Sequence, residues 1–409
     1  MAPRNPRVAG CWAGLTAAAA ALVVGPFVLR AFISLASHVT NPLGAVVLAI
    51  ALVLLTRTTS WLPTVVAGLV AGANAASDPL LWFAGVVPFA LAAGLLAWTT
   101  KSRGVALRAS TTLGLTVISA ITTNLVMQAL DFHVVGLSVG LDHVQDIPEN
   151  IEHLVRMVAL LGGANYALPG PYPGEPLRAF VGLLTLAAVA APIVAAIRVR
   201  RADPLRSAYA FYWAAAVIVL CAVFVVTPNA TDLGPKSVNY LLTLAPAAGA
   251  GVALLASRSR LVQLAVALGV GLVAATNISG IVDGRAEVTG VVALAAQERE
   301  LVDVLAREGA RRGFAGYWNA QNLSWQTDMR LLVAPVQNCG DKLCPYRFFT
   351  IRSWYEPVGG PTFLLVDPTN RFIHAPPFAS RAVSTHRLGP STLYVFDYDI
   401  ARHIRLPPS

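Results

Sequence analysis

Ser207–Thr227 reads SAYAFYWAAAVIVLCAVFVVT, a stretch without one charged side chain. At about 1.5 Å of rise per residue, a helix of this length covers the ~30 Å hydrocarbon layer of a bilayer. Working outward, comparable apolar stretches fall at 11–29, 42–56, 61–77, 80–99, 109–130, 179–197, 237–257 and 261–281. Together they predict a polytopic α-helical membrane protein of about nine spans. The second and third stretches are the shortest, separated by Arg57 and the Trp61-Leu62-Pro63 step. Composition agrees: 56% of the 409 residues are hydrophobic and only 12% are charged. A soluble domain carries about a quarter charged residues, so a soluble enzyme and a disordered chain are both excluded.

The formal charge of +9 would suit nucleic acid, but its placement does not. The cations lie in short clusters between apolar runs, where membrane topology explains them. With a cytoplasmic N-terminus, twelve cations from Arg4 to Arg260 fall in inner loops, and only Arg30, Arg156, Arg178 and Lys236 in outer ones. Lys and Arg are retained inside during insertion, so this bias predicts N-terminus in and C-terminus out. Acids run the other way, with Asp203 inside and eight from Asp78 to Asp232 outside. The first stretch lacks a small-residue cleavage site and reads as an uncleaved span.

Residues 1–281 thus form the expected membrane domain, and 282–409 an extracytoplasmic α/β domain. Val291, Leu294, Leu301, Val304 and Leu305 recur at helical spacing, with Gly313 as the stop. Strand-like runs follow at Phe314–Trp318, Arg330–Val336, Arg347–Trp354 and Thr362–Val366. A hairpin is expected from Ala382–Leu388 and Thr392–Tyr398. Cys339 and Cys344, in an oxidising compartment, read as a disulfide closing a turn, with a zinc site as the alternative.

Several segments resemble the GT-C superfamily of membrane glycosyltransferases, especially its family 39-like branch. These are Asn41-Pro42-Leu43, then Ala67–Gly72 leading into Ser77-Asp78-Pro79, then Asn239-Tyr240-Leu241-Leu242 with Ala245-Pro246. Gly316-Tyr317-Trp318-Asn319-Ala320 adds to the likeness after the amphipathic helix. The resemblance implies sugar transfer from a polyprenyl-phosphate donor, at the outer membrane face, to a cell-envelope glycan or protein acceptor. The first outer loop, Ala31–Thr40, departs from that pattern because it holds no carboxylate. The chain then reads as a GT-C-like protein lacking its first spans, or as one that keeps the fold and binds without catalysing.

Glycosyl transfer needs a carboxylate to take the acceptor's proton and cations or a metal to hold the leaving phosphate. Asp78 is the candidate catalytic residue; alternatively it only caps the helix that Pro79 begins. His38, His133, Asp142, His143, Glu149 and Lys236 are the candidate substrate-binding residues. Asp142, Asp146 and His153 form a possible Mn²⁺ or Mg²⁺ set, though Pro148 interrupts their helix and no standard spacing is present. The plainer reading of this loop is a helix lying along the membrane, with Ile147, Ile151, Leu154, Val155 and Val158 in lipid. Trp318, Trp325, Trp354 and Tyr355 read as a sugar-stacking surface or as core. Phosphate-loop, dinucleotide, serine-hydrolase and zinc-protease motifs do not occur in the sequence.

Overall fold

The computed structural model describes residues 40–133, 140–162, 175–200, 203–227, 234–256, 260–283, 299–340, 342–346, 350–368 and 373–405. The chain divides into two compact units. One holds residues 1–123 and 137–283; the other holds 284–409 together with the internal segment 124–136.

The first unit is helical. Its described elements are α1 (Thr40–Arg57), α2 (Leu62–Ser77), α3 (Val87–Thr100), α4 (Arg103–Ala129) and α5 (Ile147–Leu161). They continue as α6 (Glu175–Val199), α7 (Pro204–Val226), α8 (Leu244–Ala256) and α9 (Arg260–Asp283). A π-helical turn, Trp82–Val86, leads into α3, and a 3-10 helix, Gly234–Leu241, precedes α8. Among the described residues, where eight of the nine expected stretches fall, six helices are long and apolar enough to cross a membrane. The stretch 61–77 forms α2, a shorter apolar helix, and Gln263–Val273 within α9 is another. At about 1.5 Å per residue α2 reaches only ~24 Å, short of the hydrocarbon layer. The expected span 11–29 lies outside the described residues.

Apolar side chains cover the outside of these helices as well as the inside. Ile50, Leu125, Leu183, Ile197 and Leu268 are each more than half exposed, a pattern that water does not tolerate over so wide an area and lipid does. Inside, small residues allow close helix approach, as expected where lipid-facing and protein-facing surfaces are equally apolar. Gly72 of α2 lies against α4: a Cβ there would fall 2.4 Å from the Thr116 carbonyl oxygen. Ser119 of α4 donates to the Leu69 carbonyl at 2.8 Å. Thr112 and Thr116 are fully buried beside it, each hydroxyl returned to a carbonyl one turn back.

The second unit is a six-stranded sheet in the order β4-β3-β2-β6-β8-β7. Its strands are β2 (Arg312–Ala315), β3 (Leu332–Cys339), β4 (Lys342–Pro345), β6 (Thr362–Val366), β7 (Ser384–Leu388) and β8 (Ser391–Phe396). The central β2 runs parallel to both β3 and β6, and the outer pairs are antiparallel. Helices α10 (299–307) and α11 (Tyr317–Gln326) cover one face over Leu305, Leu323, Phe363 and Val395. The other face buries Phe314, Tyr355, Leu364 and Phe396.

Two corrections concern boundaries here. Gly309, not Gly313, terminates α10: it adopts φ +67°, and Ala310 N–H reaches back to the Leu305 carbonyl. Tyr317 and Trp318, expected to end a strand, begin α11 instead. The Cys339–Cys344 disulfide is present, with Cα atoms 5.9 Å apart across the β3–β4 turn. A further two-stranded pairing joins β1 (Phe132–His133) to β5 (Thr350–Ile351), antiparallel, with Phe132 opposite Ile351. Thus a strand that follows α4 by two residues belongs to the C-terminal unit.

Candidate functional site at the helix ends

A helix interior consumes its own backbone donors and acceptors, leaving four of each free only at the ends. Two groups of buried polar contacts in the helical unit lie at such ends. Asp78 follows the last residue of α2 and is 7% exposed; Asn41, in the first turn of α1, is 1% exposed. Asn41 Nδ2 donates to Asp78 Oδ2 at 2.6 Å, and Leu80 N–H donates to Asp78 Oδ1 at 3.1 Å. One turn before Asp78, Asn74 Nδ2 donates to the Thr40 carbonyl at 2.6 Å. The side-chain oxygens of Asn41 and Asn74 are buried and, among the described residues, accept no hydrogen bond. The π-helical turn begins four residues after Asp78, and such turns often mark functional positions in helices. Asp78 therefore fills the expected capping role at the segment entering α3, and it also meets Asn41 at the junction of α1 and α2.

A second polar knot ties α5 to the end of α7. Asn150, fully buried, donates through Nδ2 to Asp142 Oδ2 at 2.8 Å and to the Val225 carbonyl at 2.9 Å. Asp142 N–H completes it by donating to the Val226 carbonyl. The Asn150 amide holds the Asp142 carboxyl below the usual carboxylate range, against the opposing effect of burial. Pro148 does not interrupt the helix; it occupies the first turn of α5, where its missing N–H costs nothing. Asp142 and Asp146 therefore precede the helix rather than share its face. Val158 is buried rather than lipid-facing, whereas Ile151 and Val155 are exposed.

The expected metal set does not assemble. The His153 ring stacks on Phe224 at 6.2 Å, while Asp142 turns to Asn150. Among the described residues no three His, Cys, Asp or Glu side chains gather to hold Mn²⁺ or Mg²⁺. His143 and Glu149 are exposed near the start of α5. His133 lies in β1 and Lys236 in the 3-10 helix before α8, but their side chains, like all of His38, lie outside the described residues. Tyr355 is core, its hydroxyl donating to the Pro335 carbonyl at 2.7 Å, and Trp354 packs beside it. The side chains of Trp318 and Trp325 are outside the described residues.

The opposite helix ends are cationic. The Arg108 guanidinium of α4 donates to the carbonyls of Leu55 and Thr58 where α1 ends, which satisfies orphan acceptors and opposes the helix dipole. In the C-terminal unit Ser384, His386 and Glu308 meet, but not as a nucleophile relay. His386 Nε2 faces both Glu308 Oε1 at 2.9 Å and Ser384 Oγ at 3.2 Å. A relay needs the two ring nitrogens on different partners; this set ties β7 to the end of α10.

Sequence reasoning missed Asn41 and Asn150 as site residues. The signal for Asn41 was available: Asn41-Pro42 and Asp78-Pro79 stand at ends of successive apolar runs that alternation brings to one face. Comparison with known proteins leaves the geometry to speak alone: no family model, curated protein or solved structure matches this chain.

Proposed function

We propose that the protein is a multi-pass membrane glycosyltransferase of the GT-C type. It would transfer a sugar from a polyprenyl-phosphate donor to a cell-envelope acceptor, with Asp78 as the proton-accepting carboxylate. The observation that carries this reading is the buried Asn41–Asp78 pair at the ends of α1 and α2. An ionisable group at membrane depth is costly and is retained for function. Its position at a helix end suits contact with a lipid-linked headgroup.

Charge placement supports an extracytoplasmic site. Asp78 and Asp142 stand near the ends of α2 and α7, whereas Arg57, Arg103, Arg108 and Arg206 stand at the alternate ends. The positive-inside rule puts the arginine ends in the cytoplasm. On the proposed orientation α4 ends outside, and β1, which follows two residues later, pairs with β5 of the C-terminal unit.

The test is transfer in proteoliposomes supplied with polyprenyl-phosphate mannose or arabinose. Asp78→Asn should reduce transfer about 100-fold, the usual size of a general-base contribution. Full transfer by that variant would remove Asp78 as the base. A second reading, a non-catalytic protein of the same fold, is favoured by the near-complete burial of Asn41 and Asp78, which also suits a tie between helices. Binding of polyprenyl phosphate by the wild-type chain without turnover would establish it.

A further inference from the structure

At the carboxyl ends of β2 and β6 the C-terminal sheet divides the path of the chain. From β2 the chain enters α11 on the helical face and moves to β3. From β6 it passes to the opposite face through Ile373 and Phe378 before reaching β7. Parallel strands whose connections diverge in this way leave a crevice between their carboxyl ends, and ligands of open α/β sheets bind there.

The residues at this point are polar and paired across the divide. Asn319, just beyond β2, donates through Nδ2 to Asp367 Oδ2, just beyond β6, at 3.3 Å. Tyr317, two residues before Asn319, meets Tyr346, their ring centroids 5.5 Å apart and tilted by 44°. Tyr346 is fixed there because its N–H donates to the carbonyl of Pro335, the β3 residue opposite Ala315. All four side chains are partly buried, neither sealed in the core nor free in solvent.

We propose that this crevice binds a neutral sugar ring. The Asp367 carboxylate accepts from adjacent hydroxyls, the Asn319 carboxamide both donates and accepts, and the tyrosine faces cover ring C–H groups. A carboxylate at the mouth disfavours phosphate, which separates this site from one for a lipid phosphate or nucleotide. Burial pushes the Tyr317 and Tyr346 hydroxyls up, so both stay neutral. The proposal concerns binding by the C-terminal domain and holds whether or not the helical unit transfers sugar.

The experiment is saturation-transfer NMR on the full chain in nanodiscs, with mannotriose and arabinotriose as probes and inorganic phosphate as competitor. The expected result is transfer to ring protons of one probe, undisturbed by phosphate. It should weaken about ten-fold in Asp367→Asn, the loss expected for hydrogen bonds to a charged group. Asn319→Ser and Tyr346→Leu should weaken it as well, which keeps the conclusion independent of how any one variant folds. Absence of transfer from both probes, displacement by phosphate, or wild-type transfer in all three variants would overturn the proposal.

Discussion

Asp78 and Asp399 are both buried carboxylates, but the two units hold them by different means. Asp399 is 1% exposed and accepts from the backbone N–H groups of Val358, Gly359 and Ala401 at 2.7, 3.0 and 2.9 Å. Arg312 stands 3.7 Å away, its own guanidinium donating to the Trp354 carbonyl. Burial pushes the Asp399 carboxyl up, yet the three amides and Arg312 outweigh it and leave it below the usual range. In a sheet domain, loops supply free backbone donors anywhere around the core. In the helical unit the backbone is consumed, so Asp78 is met by a side-chain amide and by a donor at a helix start. Among the described residues the buried carboxylate of this bundle lies at a helix end.

The contrast is broken most severely at Asp399. Asp399→Ala leaves Arg312 and three amides without their partner and should cost about 3–5 kcal/mol, read as earlier thermal proteolysis of the C-terminal domain. The same loss should not follow Asp78→Asn, whose folded chain and about 100-fold slower transfer would mark that carboxylate as functional. An equal collapse of both variants would erase the distinction. Next in size, Gly72→Leu forces α2 from the Thr116 carbonyl and should destabilise the bundle by about 1–3 kcal/mol. Unchanged melting in detergent would refute the close approach. Cys344→Ser should lower the stability of the C-terminal domain by about 2 kcal/mol, since the closed loop is short, and should leave the helical unit untouched.

The smallest effect concerns pH. Ser384, then His386, hold the Glu308 carboxyl below its ordinary value. A depressed carboxylate stabilises the fold above its unfolded value of about 4.3 and loses that contribution as pH falls through the folded one. Melting of the C-terminal domain should therefore fall more steeply below about pH 4.3 in wild type than in Glu308→Gln. Parallel curves would show that the β7 tie contributes nothing.

Much of the architecture was legible because lipid imposes a coarse rule. Ser207–Thr227 and its counterparts declare helices by apolar length, and α3, α4, α6 and α7 lie where those stretches are. The strand Thr362–Val366 and the Leu388–Ser391 turn were equally readable from their short-range patterns. What the sequence hid was pairing at long separation. Asn41 meets Asp78 across 37 positions, and Asn319 meets Asp367 across 48. No local pattern marks Asn319 and Asp367, and only the alternation of apolar runs points to Asn41 and Asp78. Tyr317-Trp318 misled for a related reason: aromatic residues favour strands, yet Ala320 and Leu323 had a helix-facing core to fill. Pro148 misled because the same residue that breaks a helix also begins one.

The pairing of β1 with β5 makes the C-terminal domain discontinuous in sequence. During synthesis Phe132 emerges more than two hundred residues before its partner Ile351, so this small sheet is completed only after the last helix has been made. A fragment cut at residue 284 would lack β1 and leave the edge of β5 open. Excision of the domain for biochemical work therefore requires the segment 124–136 to be supplied as well, fused or in trans.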